Sequence, residues 1–300
     1  MTRTMKALVA APGLVEPQLR ELPIPQPGAG EALVRVRAAA VNPADPFVLS
    51  GAAHEAFGLH GAVGLGYDLA GTVVATGSGV PAELTGRRVA GLHTDLASSS
   101  RGQAEYAVLP AGALAELPKG MDFEAAATVP LGALTAAQGL ELLGPPNGRT
   151  LLVTGGAGSV GAYALWCAAH AGWRTTGLAR EGDRDFVESL GAVWMSGPVP
   201  GRAFDAVFDA AALQERALAG VRDGGAFLGV LPPAPVRPVR GVRTAQVLVR
   251  ADGAALARAL RGHTLEGMPA RIRLVEPLER AANAYAALRA GGRGRPVLRC

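Results

Sequence analysis

Residues 150–172, TLLVTGGAGSVGAYALWCAAHAG, restrict the fold more than any other stretch of the chain. An apolar run of strand length, LLVT, passes through a turn of small residues into an apolar run of helix length. Such a segment is one arm of a strand–helix–strand unit, whose two strands lie parallel. The chain after it repeats the alternation: WRTTGLAR reads as a strand, DRDFVESLGA as a helix closed by Gly191, AFDAVFDA as a strand, ALQERALAGV as a helix and GAFLGVL as a strand. Strands alternating with helices predict a parallel sheet covered on both faces. Before it, DFEAAATVPLGALTAAQGLELL reads as helical with an interruption at Pro130. RIRLVE, PLERAANAYAALRAG and RPVLR then predict a closing strand, helix and strand.

Residues 1–117 have a different texture. MKALVA, EALVRVRAAAVN, GTVVATG and RRVAGL read as short strands separated by Gly and Pro, with PIPQPGAGE as a turn-rich connector. In the second, Val34 and Val36 alternate with Arg35 and Arg37, the period of a half-buried strand. The expected organisation is a mostly antiparallel barrel-like domain over 1–117, an α/β domain over 118–264, and a segment over 265–300 that returns to the first. The 29 basic and 25 acidic residues give a net charge of +4, spread along the chain rather than gathered in a stripe. That distribution argues against nucleic-acid binding. Two cysteines, Cys167 and Cys300, make neither a disulfide framework nor a four-cysteine zinc site. With no signal-like N-terminus and no apolar run of about 20 residues, the expectation is a cytoplasmic chain without a membrane span.

Gly156, Gly158 and Gly161 fit the spacing G-x-G-x-x-G. With 41 glycines in the chain the spacing alone is weak; its place after a strand and at the start of a helix is what points to a dinucleotide. The roles expected are a tight turn at Gly156, close approach of a pyrophosphate at Gly158, and helix–strand packing at Gly161. Ala157, Ser159 and Val160 would line the same helix N-terminus, which favours an anion. The competing reading is a glycine-rich turn that only packs. A ribose-binding acid is expected about 20 residues further on in NAD-specific sites. Here the next strand ends GLAREGDR, with Ala179, Arg180 and then Arg184. Arginines there suit a 2′-phosphate and point to NADPH, although Glu181 could claim the charge of Arg180. A short-chain dehydrogenase is excluded because Ser159 stands where its pattern needs glycine and no Tyr-x-x-x-Lys pair follows. A methyltransferase would leave the preceding β-domain unexplained.

Several further motifs stand in order around this core: AAAVNPAD (38–45), GYDLAGTVVATG (66–77), GQAEYAVLPA (102–111), AAATVPLGALTAAQGL (125–140), FDAVFDAA, GGAFLGV and EPLERAANAYAALRAGGRGRPVL. Over nearly the whole length the chain resembles the medium-chain dehydrogenase/reductase superfamily, specifically its zinc-free quinone oxidoreductase (zeta-crystallin-like) branch. The resemblance implies an α/β fold in which a Rossmann doubly wound parallel sheet follows a GroES-like, mostly antiparallel β-barrel domain, and a homodimer, for which the strand VRTAQVLVR (242–250) is a candidate edge. In the zinc-dependent branch a Cys falls where Asn42 stands and a His-Glu pair where Tyr67 and Asp68 stand. Asp68 alone cannot hold a catalytic zinc, so no metal is expected.

The same resemblance places Asn42 and Asp45 beside the nicotinamide, Thr135 at its end, the backbone of Gly229 and Val230 along its ring, and Arg295 near the cofactor. Tyr67 has a hydroxyl that could serve an oxyanion or donate a proton. Each has a plainer reading: Asn42 as a turn residue before Pro43, Asp45 as a local cap, Thr135 as a self-satisfied helix hydroxyl, Tyr67 as core, Gly229 and Val230 as a strand end. Family members often carry a segment close to TYIRSG after N-P-x-D. This chain has PFVLSG, so Phe47 and Leu49 imply a more apolar pocket, and Pro296 replaces a residue with a free N–H. The expected activity is hydride transfer from NADPH to a quinone or an α,β-unsaturated carbonyl without zinc. The alternatives are an NADPH-binding sensor of the same fold without turnover, and a polyketide-type tailoring enoyl reductase.

Overall fold

The computed structural model describes residues 3–11, 13–231, 234–265, 268 and 270–300, without the side chains of 264 and 265. The chain divides into two compact units, residues 1–131 with 250–300, and residues 132–249.

The first unit opens with β1 (Thr4–Ala10), β2 (Gln18–Pro23) and β3 (Glu31–Ala40), then two short helices, α1 (Asp45–Leu49) and α2 (Ala52–Phe57). Next come β4 (Val63–Gly64), β5 (Asp68–Thr76), β6 (Arg88–Leu92), β7 (Tyr106–Pro110) and β8 (Leu114–Glu116), followed by α3 (Phe123–Ala127). The segment α4 (Pro130–Leu143) leads into the second unit, which contains β9 (Thr150–Thr154), α5 (Ser159–Ala171), β10 (Arg174–Leu178), α6 (Arg184–Ser189), β11 (Val193–Met195), β12 (Phe204–Asp209), α7 (Glu215–Leu218), β13 (Val221–Gly229) and β14 (Arg243–Gln246). The chain then returns to the first unit with α8 (Gly253–Leu265), β15 (Ile272–Pro277), α9 (Ala281–Arg289) and β16 (Arg295–Arg299).

In the first unit β2, β1 and β4 form a small antiparallel sheet, and a seven-stranded sheet runs β15-β16-β3-β5-β6-β8 with β7 also paired to β3. Its pairings are antiparallel except β15 with β16. The alternation in β3 is realised: Val34 and Val36 are buried while Arg35 and Arg37 face solvent. In the second unit six parallel strands take the order β11-β10-β9-β12-β13-β14. Numbered from β9 this is 3-2-1-4-5-6, the doubly wound order whose reversal between β9 and β12 leaves a crevice at the strands' carboxyl ends. The central strands are buried on both faces, as their continuous apolar runs require.

The unit boundaries differ from the expected ones. Residues 118–131 and 250–264 fall in the first unit, because α3 packs on β3 and β5, and α8 packs on β8. Gly253 makes the second contact possible, since a Cβ there would overlap the carbonyl oxygen of Leu114. The strand expected over 242–250 is ordered as strand only at Arg243–Gln246, on the outer edge of the sheet. Among the described residues no helix is long and apolar enough to cross a membrane.

Candidate active site

The glycine loop follows β9 in the second unit. Gly155, not Gly156, takes the left-handed conformation at φ 63°, so the sharp turn lies one residue earlier than the motif spacing suggests. Its carbonyl accepts the Gly158 N–H at 2.8 Å. Gly156 is instead the close-packing glycine of strand and helix: its N–H donates to Leu178 of β10, and a Cβ there would sit 2.9 Å from Leu165 and 3.2 Å from Gly177. Gly161 is pressed against the loop itself, with a Cβ overlapping the Gly155 carbonyl oxygen. Gly158 is the exposed member and caps α5 in an extended conformation, φ −78° and ψ 169°.

Ala157, Ser159 and Val160 are half-buried around the first turn of α5, whose N–H groups have no acceptor within the helix. A Cβ on Gly158 would meet only the Gly155 carbonyl oxygen, at 3.1 Å. The loop therefore offers an open anion cradle that fits a pyrophosphate. Replacing Gly158 with valine is compatible with the backbone dihedrals and brings its Cβ close to the loop only at the Gly155 carbonyl oxygen. Gly158→Val should lower the affinity for a nicotinamide dinucleotide roughly 10- to 100-fold, as overpacking of about 1–3 kcal/mol implies. Fluorescence titration would show that loss, while the denaturant midpoint should stay at the wild-type value.

Three further features frame the cradle. Thr154 donates to Asp209 at 2.6 Å across the reversal of strand order, and Asp209 accepts the N–H groups of Leu213 and Gln214 at 3.0 and 2.7 Å. Thr135 is buried on α4, on the same helical face as Gly132 and Gly139. Gly132 abuts Ser159 at the start of α5, and Gly139 abuts Phe208 and Leu228, so Thr135 lies over the same end of the sheet as the loop. Gly229 ends β13 tightly against the Gln246 side chain, followed by half-buried Val230.

At the end of β10 the Ala179 N–H is taken by Met195. The Arg180 side chain is exposed and forms no ion pair among the described residues, with Glu181 included. Arg184 is already engaged: it donates to Glu188 at 2.9 Å and lies 5.3 Å over the Trp194 ring. Of the two arginines, Arg180 is the one available to a ligand.

The first unit holds a buried polar cluster. Asn42, Asp45 and Asp68 are each 0 % exposed. The Asn42 side chain donates to Asp68 Oδ2 at 3.0 Å, and the Leu131 N–H donates to Asp68 Oδ1 at 2.7 Å. Asp45 Oδ2 accepts the Asn42 N–H at 2.7 Å and the Gln103 side chain at 3.3 Å, and Tyr285 of α9 donates to Gln103 at 2.9 Å. Asp45 thus ties the turn before α1 to the β7 approach and the returning helix. Its carboxylate braces this turn and has no exposed surface.

Burial pushes Asp45 up to about 6, opposed by the Asn42 N–H and by the charges of Arg101 and Arg295. Burial pushes Asp68 up to about 7, opposed by its two hydrogen bonds and Arg295. Tyr67 is half-buried against the core, and burial holds its phenol above the usual value against the pull of Arg101. Leu49 points into the core rather than a pocket, whereas Phe47 meets Phe57 edge-to-face at 6.3 Å, with Phe57 half exposed.

Asn42, Asp45, Tyr67 and Arg295 therefore gather in the first unit, and Thr135, Gly156, Gly158, Gly161, Arg180, Gly229 and Val230 in the second. Asp68, Arg101, Gln103 and Tyr285 belong to the first cluster, and Thr154 and Asp209 to the second; none was assigned a site role from sequence. Among the described residues no group of three or more His, Cys, Asp or Glu side chains could hold a metal ion.

Residues 28–119 match the alcohol dehydrogenase GroES-like domain. The chain is 32% identical over 220 residues to a 2-methylene-furan-3-one reductase of Solanum lycopersicum, covering 68% of this chain and 56% of the relative. It is 31% identical over 226 residues to the chloroplastic NADPH-dependent alkenal/one oxidoreductase of Arabidopsis thaliana, covering 70% and 58%. The chain spans about half the length of the curated relatives it matches. An alcohol dehydrogenase superfamily protein of Novosphingobium aromaticivorans superposes with a TM-score of 0.85 at 27% identity, covering 99% of this chain and 100% of that one. A GroES-like domain followed by a six-stranded parallel sheet in the doubly wound order defines a two-part architecture. The chain belongs to the medium-chain dehydrogenase/reductase superfamily.

Proposed function

We propose that this chain is an NADPH-dependent reductase of quinones or α,β-unsaturated carbonyls that works without zinc. The Asn42–Asp68 hydrogen bond carries the reading. These are two of the positions at which the zinc-dependent branch holds its ligands, and here their side chains are committed to each other. The third position supplies a phenol, Tyr67, in place of an imidazole. A site that offers a hydrogen-bond donor rather than a Lewis acid suits conjugate reduction, in which negative charge develops on a carbonyl oxygen. The names of the two plant relatives describe a methylene-furanone and alkenals or alkenones, substrates of that class.

NADPH supplies the hydride. The glycine loop and the α5 N-terminus hold the pyrophosphate, with Thr135, Gly229 and Val230 placing the ring. Tyr67, a phenol and so protonated at neutral pH, donates to the substrate oxygen. Asn42 and Asp45 hold the turn that leads into α1, which carries Phe47 of the Phe47–Phe57 aromatic pair. NADPH oxidation assayed with a panel of quinones and enones tests the assignment. Turnover of at least one class is expected; tight NADPH binding with no turnover on any member would overturn it in favour of a sensor.

The choice of NADPH rests on Arg180. A charge-assisted bond to a 2′-phosphate contributes about 1.5–3 kcal/mol. Arg180→Ala should weaken NADPH roughly 10- to 100-fold and leave NADH within about twofold of wild type. Equal losses for the two nucleotides would remove the phosphate assignment.

A further inference from the structure

We infer that Arg101 is the charge that makes Tyr67 an effective acid, a positioning residue acting through the face of the phenol ring. The inference rests on the reading of Tyr67 as proton donor. It starts from a backbone arrangement. Residues 98–103 run against 64–66, with Gly64 N–H donating to Ser98, Gly102 N–H to Gly66 and Gln103 N–H to Leu65. The approach is so close that a Cβ on Gly64 would lie 2.7 Å from the Arg101 nitrogen. Arg101 is thereby turned inward and is 0 % exposed.

Inside, its guanidinium donates from Nη2 to the His93 carbonyl at 2.9 Å and, by its charge and by hydrogen bonding, favours the ionised form of Tyr67. Nε and Nη1 have no partner, and Arg101 forms no ion pair among the described residues. Its carbon stands 4.2 Å from the centroid of the Tyr67 ring. A buried cation without a bonded carboxylate costs stability, so packing does not account for it. A cation on a ring face is attracted to phenol, and more strongly to phenolate.

The groups around Tyr67 set the sign. Asp45 from α1 disfavours the phenolate, as burial does, and Arg101 opposes both. Asp68, the next residue, faces Asn42 and Leu131. His93 donates its backbone N–H to the Tyr67 carbonyl. Its imidazole is held near 4 by burial and by Arg101, so it is neutral at pH 7 and adds no charge. Arg101 is the positive group stacked on the ring. When hydride adds to the β-carbon, a C–H bond forms and the C=C π pair moves through the carbonyl to its oxygen. The Tyr67 O–H then breaks, its proton passes to the enolate, and the phenolate left behind sits against the guanidinium until solvent reprotonates it.

A double-mutant cycle tests this. Tyr67→Phe should lower kcat about 10²-fold. Arg101→Met should lower it about tenfold in the wild-type background and less than twofold in Tyr67→Phe. Arg101→Lys should recover most of the rate, and the NADPH dissociation constant should not move. A structural role would predict instead that Arg101→Met slows both backgrounds equally and lowers the melting temperature, and either result overturns the proposal. A readout independent of turnover is the phenolate absorbance of Tyr67, taken as the difference between wild type and Tyr67→Phe. Arg101→Met should move its titration to higher pH; an unchanged titration overturns the inference. Absence of turnover on every quinone and enone would instead sink the reductase reading, and the titration would still decide the role of Arg101.

Discussion

Gly161→Ala should reduce NADPH affinity by about 10³-fold and also destabilise the fold. The added Cβ would overlap the Gly155 carbonyl oxygen and lie 2.8 Å from its carbon and 3.1 Å from Gly156 Cα. No flexible side chain stands there to give way. Gly155 holds φ 63° and its carbonyl closes the turn by accepting the Gly158 N–H. Gly156 is pinned by its bond to Leu178. Relief therefore requires the loop to lift off α5, which misaligns the N–H groups that face the pyrophosphate. Two charge-assisted bonds at about 2 kcal/mol each account for the thousandfold loss. The packing strain itself should lower the unfolding free energy by about 1–3 kcal/mol. Calorimetric titration and urea unfolding measure the two effects. The contrast with Gly158→Val is diagnostic, since that Cβ stands 3.1 Å from the Gly155 carbonyl oxygen rather than overlapping it. Affinity of Gly161→Ala within threefold of wild type would mean that the cofactor does not rest on this loop.

The second unit was legible in the sequence because its strands are buried on both faces and so read as unbroken apolar runs, punctuated by glycine. Where it was not legible, local bonds were responsible. The helix expected over ALQERALAGV shrinks to Glu215–Leu218. Asp209 captures the N–H groups of Leu213 and Gln214, and Ala212 and Gln214 take positive φ values, 54° and 56°. β11 escaped notice because it is three residues long with Val193 facing solvent at the sheet region's side. In the first unit α1 and α2 were hidden in a segment read for its departures from a family pattern, although Pro46 suits the first turn of a helix.

The candidate site divides the same way. Asn42, Asp45 and Tyr67 are reached through resemblance, whereas the convergence of the Asn42 N–H and Gln103 on Asp45 is visible only in the fold. Arg101 was out of reach of sequence reasoning. A single arginine after three serines reads as a solvated loop, and nothing local reveals that residues 64–66 draw its backbone inward. Asp68 looked like the remnant of a ligand pair. Its burial, and its acceptance of one bond from Asn42 and one from Leu131, depend on residues far away in the chain.

Asp68 carries the second large effect, in the pH dependence of stability. Burial raises its folded pKa to about 7, against about 3.9 for an ordinary aspartate. The folded chain then binds more protons than the unfolded chain across that interval, so unfolding free energy falls as pH rises from about 4 to about 7 and levels off above. At full ionisation the loss is roughly 4 kcal/mol, at about 1.36 kcal/mol per pKa unit. Asp45, raised to about 6, adds a loss of the same sign over a narrower window. Asp68→Asn removes the first loss without breaking the network. The new amide keeps its oxygen toward the Leu131 N–H, and Asn42 can rotate its side-chain amide so that Oδ1, buried and without a partner, accepts from the new NH₂. Urea unfolding should find Asp68→Asn close to wild type at pH 4 and more stable by roughly 3–4 kcal/mol at pH 8, with only the Asp45 slope left between. Asp68→Ala is the control: it strands two buried donors and should destabilise the acidic side by roughly 2–3 kcal/mol. Parallel wild-type and Asp68→Asn profiles from pH 4 to pH 8 would show that Asp68 stays ionised throughout, and that the bonds from Asn42 and Leu131, together with the charge of Arg295, outweigh the cost of burying its charge.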